Sequence, residues 1–537
     1  MKRFLLVLAS AAALWSAACS SGGGTTVLPP PAGKYGLSSL NGTYAFVTNG
    51  EAFVNGAAVP STLARTGSFV ANGSGGIAGG VEDTVAVTVL PQGASTTVNT
   101  AITITGGGYS VGADGRGSVT LNLAAGVGGA PTITFGIVLT STSSGLLIDE
   151  TNTASQASTG SGNFFKQDTT AFTNPILPVA ATYVFDFAGL DGAANGASLV
   201  GRFAAASGAI SGGIQDVNDN FALTTAQVIP AGTLSQDPIN PATLTSFGRG
   251  VAQIAGEAYI FYIVDATRIR FISISSGAML TGDAVVQNNP PASLSNGFAF
   301  VVAGSSALGP LTRVGRFTAN GTAVTNVLVD TNNAGSLVTT TGATQASVTL
   351  DAANPGRGTV TFLGSGLGTP FSFVFYLSSA TSGVIQETTQ SNGLAAAIAD
   401  GSIGGQTGNP FSSSNISGTY AINWSGLSKQ NAVFDEEDML GQTTISSLAL
   451  KGAADIFQFQ NVNGPQTDNA LTGVINIGGD GTGGTTTRNT MAVTLTKNGQ
   501  ATTVNSVVYF VSPQLAFFAS TSTPTNRIVA GVLETQQ

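Results

Sequence analysis

Gly42-Thr43-Tyr44-Ala45-Phe46 decides how the chain is read, because the pattern returns as Ala181-Thr182-Tyr183-Val184-Phe185, Asn296-Gly297-Phe298-Ala299-Phe300 and Gly418-Thr419-Tyr420-Ala421-Ile422. Large residues two positions apart face the same side of a β-strand. Each copy therefore reads as the opening strand of a unit, with its bulky side turned inward. Tyr44, Tyr183, Phe298 and Tyr420 are expected to plug a barrel end as core residues; the competing role is to line a pocket.

Further markers follow in a constant order, which is the signature of tandem units. A Gly-x-Phe-x-Ala strand occupies residues 67–71, 201–205 and 315–319, and in units one and three it runs into Asn72-Gly73 and Asn320-Gly321, a strong hairpin signal. Then come the acids Asp83, Asp216 and Asp330. A later hairpin holds Gly-Arg-Gly around Arg116, Arg249 and Arg357, weakened to Thr487-Arg488-Asn489 in the last unit. Each unit closes on Gly-x4-Gln, and the glutamines Gln167, Gln287, Gln406 and Gln536 stand 120, 119 and 130 residues apart. Asn174-Pro175, Asn289-Pro290 and Asn409-Pro410 mark breaks between units, since proline cannot donate to a strand ladder. The expected units are residues 40–167, 180–287, 294–406 and a divergent 416–537.

Within the units, Val119, Leu121 and Leu123 alternate with polar residues, as do Ile133, Phe135, Ile137 and Leu139. Phe371, Phe373, Phe375 and Leu377 repeat the pattern, and so do Met491, Val493 and Leu495. Period-two alternation marks half-buried antiparallel strands. Unit one divides into about eight of them, which suits an up-and-down meander closed into a barrel. The expected fold is all-β, with four tandem antiparallel β-barrels; the alternative is a row of immunoglobulin-like β-sandwiches. The Gly-Thr-Tyr opening, the Gly-x-Phe strand and the hairpin order resemble lipocalin and avidin-like barrels, in which the first strand carries Gly-x-Trp. Here Tyr or Phe replaces the Trp, and none of that family's ligand residues can be mapped. A membrane-spanning barrel fits less well, because the strand faces carry no aromatic girdle.

Composition narrows the functions. Of 537 residues, 42% are hydrophobic and only 8% charged, which is enough apolar material for packed cores. With 18 Lys and Arg residues, a net charge of −9 and no basic stripe, nucleic acid is not an expected partner. The chain has no histidine, so it lacks the commonest general base and the commonest metal ligand. No enzyme, metal or cofactor is expected.

Lys2 and Arg3, an apolar stretch over residues 4–14, and Ser16-Ala17-Ala18 read as an export signal over residues 1–18. Cys19 follows, the single cysteine of the chain, which rules out a disulfide framework. The arrangement resembles the lipobox of bacterial lipoproteins, with Ser16 where Leu is usual, and implies lipid attachment at Cys19; simple secretion is the alternative. Residues 19–39 contain a Ser/Gly stretch and Pro29-Pro30-Pro31, a flexible and then stiffer tether. Ser20 rather than Asp after the cysteine implies the outer membrane rather than inner-membrane retention.

For the remaining markers the plainer roles are preferred. Arg116, Arg249, Arg357 and Arg488 read as solvated turn residues rather than cations stacked on the opening rings. Asp83, Asp216 and Asp330 read as turn-capping carboxylates rather than metal ligands. Residues 216–220 look like an oxygen-rich calcium loop but lack the glycine and distal glutamate of an EF-hand. Asp435-Glu436-Glu437-Asp438 reads as a solvated loop, and residues 478–484 as flexible glycine turns. Glu150 and Glu387 occupy matching positions in separate units and so do not form a catalytic pair. The expected function is a non-catalytic lipoprotein of the cell envelope, a spacer or adhesive array held to the membrane by its lipid, with a surface glycan or matrix as partner. The alternative is a carrier enclosing a small apolar ligand.

Overall fold

A computed structural model describes residues 34–53, 60–124, 132–153, 156–275, 277–341, 343–364, 370–408, 410–430, 433–459, 464–478, 488–521 and 527–537. The signal over residues 1–18, Cys19, most of the tether and most of the glycine run 478–484 lie outside the described residues. The chain forms four antiparallel eight-stranded barrels. Barrel one comprises β1 (Asn41–Phe53), β2 (Ser61–Asn72), β3 (Gly76–Leu90), β4 (Gly93–Val111), β5 (Arg116–Leu123), β6 (Thr132–Leu139), β7 (Ser144–Asp149) and β8 (Ala157–Lys166). Each strand pairs with the next and β1 pairs with β8, which is a meander closed on itself and not a sandwich. Barrel four repeats this from Gly418–Gln430 to Arg527–Thr535. In barrels two and three the fourth strand is broken in two, Ala222–Ile229 with Gly232–Gln236 and Ser336–Thr341 with Ala343–Leu350, both halves pairing with the third strand. Pro230 lies in the first of these breaks, where its missing N–H costs no ladder bond.

The repeated motifs explain the inner faces. Tyr44 stands directly opposite Phe69, and Phe46 opposite Gly67. A Cβ at Gly67 would lie 2.6 Å from the Phe46 ring, and Gly201 and Gly315 meet Phe185 and Phe300 in the same way at 2.6 and 2.8 Å. The glycine is the hollow that the second aromatic fills. The first aromatic stacks on the phenylalanine of the Gly-x-Phe strand at 5.7 Å in barrels one and two and 5.4 Å in barrel three. In barrel four Tyr420 faces Thr443 instead, and Trp424 and Met439 complete the core. Tyr44, Tyr183 and Tyr420 also donate their hydroxyls to carbonyls of Thr142, Ala266 and Pro513, in the turn between the sixth and seventh strands, which ties down that end of each barrel. Phe298 has no hydroxyl to do so. Burying one such ring contributes roughly 1.5–3 kcal/mol.

At the other end, charge replaces rings. Arg65 meets Glu82 and Asp149, both at 3.3 Å, inside barrel one; Arg313 meets Glu387 at 2.8 Å in barrel three, and Arg527 meets Glu437 at 2.6 Å in barrel four. Among the described residues the one α-helix is the short Ala242–Phe247, and no helix is long and apolar enough to cross a membrane.

Candidate functional site

The acids and arginines singled out by their repetition meet between barrels, not within them. Asp83 of barrel one takes a two-pronged contact from Arg249 of barrel two, Nε to Oδ2 at 2.9 Å and Nη2 to Oδ1 at 2.7 Å. Tyr262, opposite Arg249 on the neighbouring strand, donates its hydroxyl to the same carboxylate, and Asp237 takes another prong of the guanidinium. Asp216 of barrel two holds Arg357 of barrel three at 2.9 and 2.8 Å, with the Tyr376 hydroxyl at 2.5 Å. Asp330 of barrel three holds Arg488 of barrel four at 2.9 and 3.1 Å, with the Tyr509 hydroxyl at 2.6 Å. Burial works against the charge of Arg249, but the hydrogen bond and field of Asp83 outweigh it and hold the arginine more firmly protonated than usual. The tyrosine hydroxyls are pushed upward by burial and by the carboxylate beside them.

Each acid sits in its strand, not at a turn. In barrels one and two it faces a β-bulge of the fourth strand, and the extra residue there, Ala101 or Ala226, has φ of +53°. That residue donates its backbone N–H to the acid, Ala101 to Asp83 at 2.8 Å and Ala226 to Asp216 at 3.0 Å. One carboxylate therefore fixes a strained bulge and receives the next barrel's arginine. The backbone bond foreseen for a capping acid is present, but it lies across a bulge; the turn-cap reading is corrected in that respect. Residues 216–220 are no calcium loop either, since Asp216 through Asp219 belong to the strand Ala209–Asp219 and Asn218 donates to the Ala397 carbonyl of barrel three.

The arginines are likewise not solvated turn residues. Arg249 is fully buried and Arg357 nearly so, because each begins a strand whose outer face abuts the preceding barrel. They do not stack on the opening rings; Arg357 lies 5.9 Å over Tyr376, its own neighbour.

The closing glutamines reach forward in the same sense. Gln167 donates to the carbonyls of Phe247 and Ile263 in barrel two, Gln287 to Pro355 and Leu377 in barrel three, and Gln406 to Phe510 in barrel four. Gln536 of barrel four then donates to Asp114 and Leu139 of barrel one, both at 2.8 Å. The four barrels thus close into a ring, each clasping the next and the last clasping the first. Apolar outer faces fill the joints: Ala45 and Val85 against Ile260 and Tyr262, Val184 and Val200 against Val374 and Tyr376, and Val301 and Val314 against Val507 and Val532. The Asn-Pro linkers therefore separate barrels along the chain without separating them in space.

Asp455 supplies the acid of the joint between barrels four and one. It meets Arg116 at 2.8 Å and accepts the N–H of Asp468, a bulge residue with φ of +55°. The sequence pattern missed it because unit four lacks the Gly-x-Phe strand that sets the count; it also missed Tyr262, Tyr376 and Tyr509, which recur across from the marked arginines. In barrel one that position is Val138, which offers no hydroxyl to Asp455. The acidic run belongs here as well. Asp435, Glu436, Glu437 and Asp438 are buried on the strand Val433–Ser446, not in a solvated loop. Alternation sends Glu437 inward to Arg527 and Asp438 outward to the Thr159 hydroxyl of barrel one at 2.7 Å.

No known family matches the sequence, and no curated protein matches it. Among solved structures the chain is similar to a transferrin binding protein B of Haemophilus parasuis Hp5, at 11% identity and a TM-score of 0.20, over 74% of this chain and 84% of that one. A second, from serogroup B Neisseria meningitidis, is 10% identical with a TM-score of 0.19, over 73% of this chain and 84% of that one. Overlap this loose carries no argument about what the present chain binds.

Proposed function

We propose that this chain is a non-catalytic lipoprotein of the bacterial cell envelope, tethered through Cys19 to the outer membrane, whose barrels form one ring-shaped platform presenting its loops to a surface partner. The observation that carries this reading is that side chains occupy the barrel interiors. In barrel one Phe46 lies 5.3 Å from Phe135 and 6.1 Å from Phe69, ring centre to ring centre, and barrels two and three interlock in the same manner. Lumens filled in this way favour display over carriage of a small apolar ligand. Joints sealed by buried ion pairs favour a single body over a flexible string, so weak contacts with a glycan or matrix would be made by loops held in fixed relation.

The test is metabolic labelling of the producing cells with a tagged fatty acid. Label is expected in the full-length protein and the outer-membrane fraction, and is expected to vanish in Cys19→Ala. Label that is absent, or that persists in the variant, overturns the anchored reading. Native mass spectrometry of the ring showing a stoichiometric small-molecule adduct would overturn display in favour of carriage.

A further inference from the structure

Each joint brings the last strand of one barrel against the first strand of the barrel before it. The residue before the closing glycine of each barrel's last strand meets the outer face of the preceding barrel's first strand. Between barrels one and two this is Thr281 donating to Asn49 at 2.9 Å, and between four and one it is Ser161 donating to Asn423 at 2.9 Å. Between three and four, Ala530 and Val301 share one apolar cluster. All three contacts are neutral. Between barrels two and three, however, the residues are Asp186 and Asp400, two carboxyls meeting side chain to side chain.

Neither acid has a cation of its own. Both oxygens of Asp186 and one of Asp400 are buried without a donor. The strands packed around them bring few charges. Asp283 stands opposite Asp186 on the last strand of barrel two, but Arg270 holds it at 2.9 and 3.1 Å. Val200 stands opposite Asp186 on the second strand. Around Asp400 stand Ala303, Gln386 and, from barrel two, Ser198; the Gln386 amide is itself turned to the Ser198 carbonyl and hydroxyl, both at 2.8 Å. Two carboxylates cannot both ionise in such a place. No group of three or more acids among the described residues is arranged to hold a metal, so a proton is the neutralising ion at hand.

We propose that Asp186 and Asp400 form a proton-operated lock, which keeps barrels two and three joined while the pair shares at least one proton and releases that joint when the pair ionises. Burial pushes both carboxyls upward from the usual range; at Asp186 the repulsion of Asp400 and Asp283 adds to the rise, whereas at Asp400 hydrogen bonds with Asp186 and Ser198 temper it. A carboxyl raised on folding contributes its stability fully below its unfolded pKa, and that contribution is lost as the pH rises through the folded value. The lock therefore holds in acid and opens toward alkali.

The test is hydrogen exchange of the full chain, corrected for intrinsic rates, followed by mass spectrometry from about pH 5 to about pH 9. Peptides covering Ala181–Leu190 and Ala397–Gly405 are expected to lose protection on the order of tenfold per pH unit above the titration of the pair, beyond any loss at the joint between barrels three and four. The double variant D186N/D400S installs the neutral pair found at Asn423 and Ser161, and its protection at this joint is expected to become independent of pH. The single variant D186N serves if the double variant does not fold, and should flatten the same profile. Equal loss at the three-four joint, an unchanged slope in the variants, or restoration of the wild-type joint at high pH by added calcium would each overturn the proton lock.

Discussion

The joint between barrels one and two and the seam between four and one use the same parts under different circumstances. At the first, Arg249 is buried between Asp83 and Asp237 with Tyr262 on the same carboxylate, and the chain runs on from one barrel to the next. At the seam, Arg116 lies between Asp455 and Asp468, whose side chain is 80% exposed; a valine stands in the place of the tyrosine, and the barrels are last and first along the chain. The linker-backed joint is thus the drier and better bonded, and the seam is held by contacts alone. Sequence proximity and strength of packing run together here, which makes the seam the natural place for the ring to open.

The largest effect should come from Arg249→Ala. It strands two buried carboxylates and is expected to cost about 3–5 kcal/mol, against about 1–2 kcal/mol for Arg116→Ala, where Asp468 can turn to water. Urea denaturation of both variants measures the gap, and equal costs would break the distinction between the joints.

Next in size is a pH effect at the seam, where acids crowd. Burial and the nearby Asp435 push Glu51 up to about 8, and burial and Asp455 push Glu150 up to about 8. Glu436 and Asp438 are also raised, first by burial. Since these carboxyls rise on folding, the stability they contribute is present in acid and lost as the pH passes upward through about 8. The melting temperature should fall from about pH 5 to about pH 9, and Glu51→Gln with Glu150→Gln should flatten the curve.

Tyr262→Phe should cost about 1–2 kcal/mol by leaving Asp83 one donor short, a loss without counterpart at Val138. Chemical denaturation reads it. Smallest is Gln536→Ala, expected to cost about 0.5–1.5 kcal/mol and to raise amide exchange in β6 and its following turn before anything else unfolds.

Much of the barrel architecture was legible because its causes are local. The period-two runs around Phe135 and Phe373, and a glycine two residues before a phenylalanine, state which face is inward without reference to distant chain. The joints were not legible, because their partners lie far apart in sequence: 166 residues separate Asp83 from Arg249, and 141 separate Asp216 from Arg357. Repetition flagged these residues, yet a single unit offers them nothing but a turn and water. A physical clue was available in retrospect. A chain with only 18 basic residues repeated one arginine and one acid in successive units, and a buried charge is retained at a fixed place only when its counter-ion is fixed too. The run 435–438 misled for the opposite reason, since four adjacent acids are normally stable only in solvent.

The closed ring also decides how the molecule carries load. The Tyr35 hydroxyl, near the folded end of the segment 19–39, donates to the carbonyl of Gln537 at 2.9 Å, while Gln536 beside it grips the carbonyls of Asp114 and Leu139. A pull on the tether would therefore reach the last strand of barrel four as directly as the first strand of barrel one. Force would pass around the ring in both directions, and the seam, not the linkers, would be the fuse.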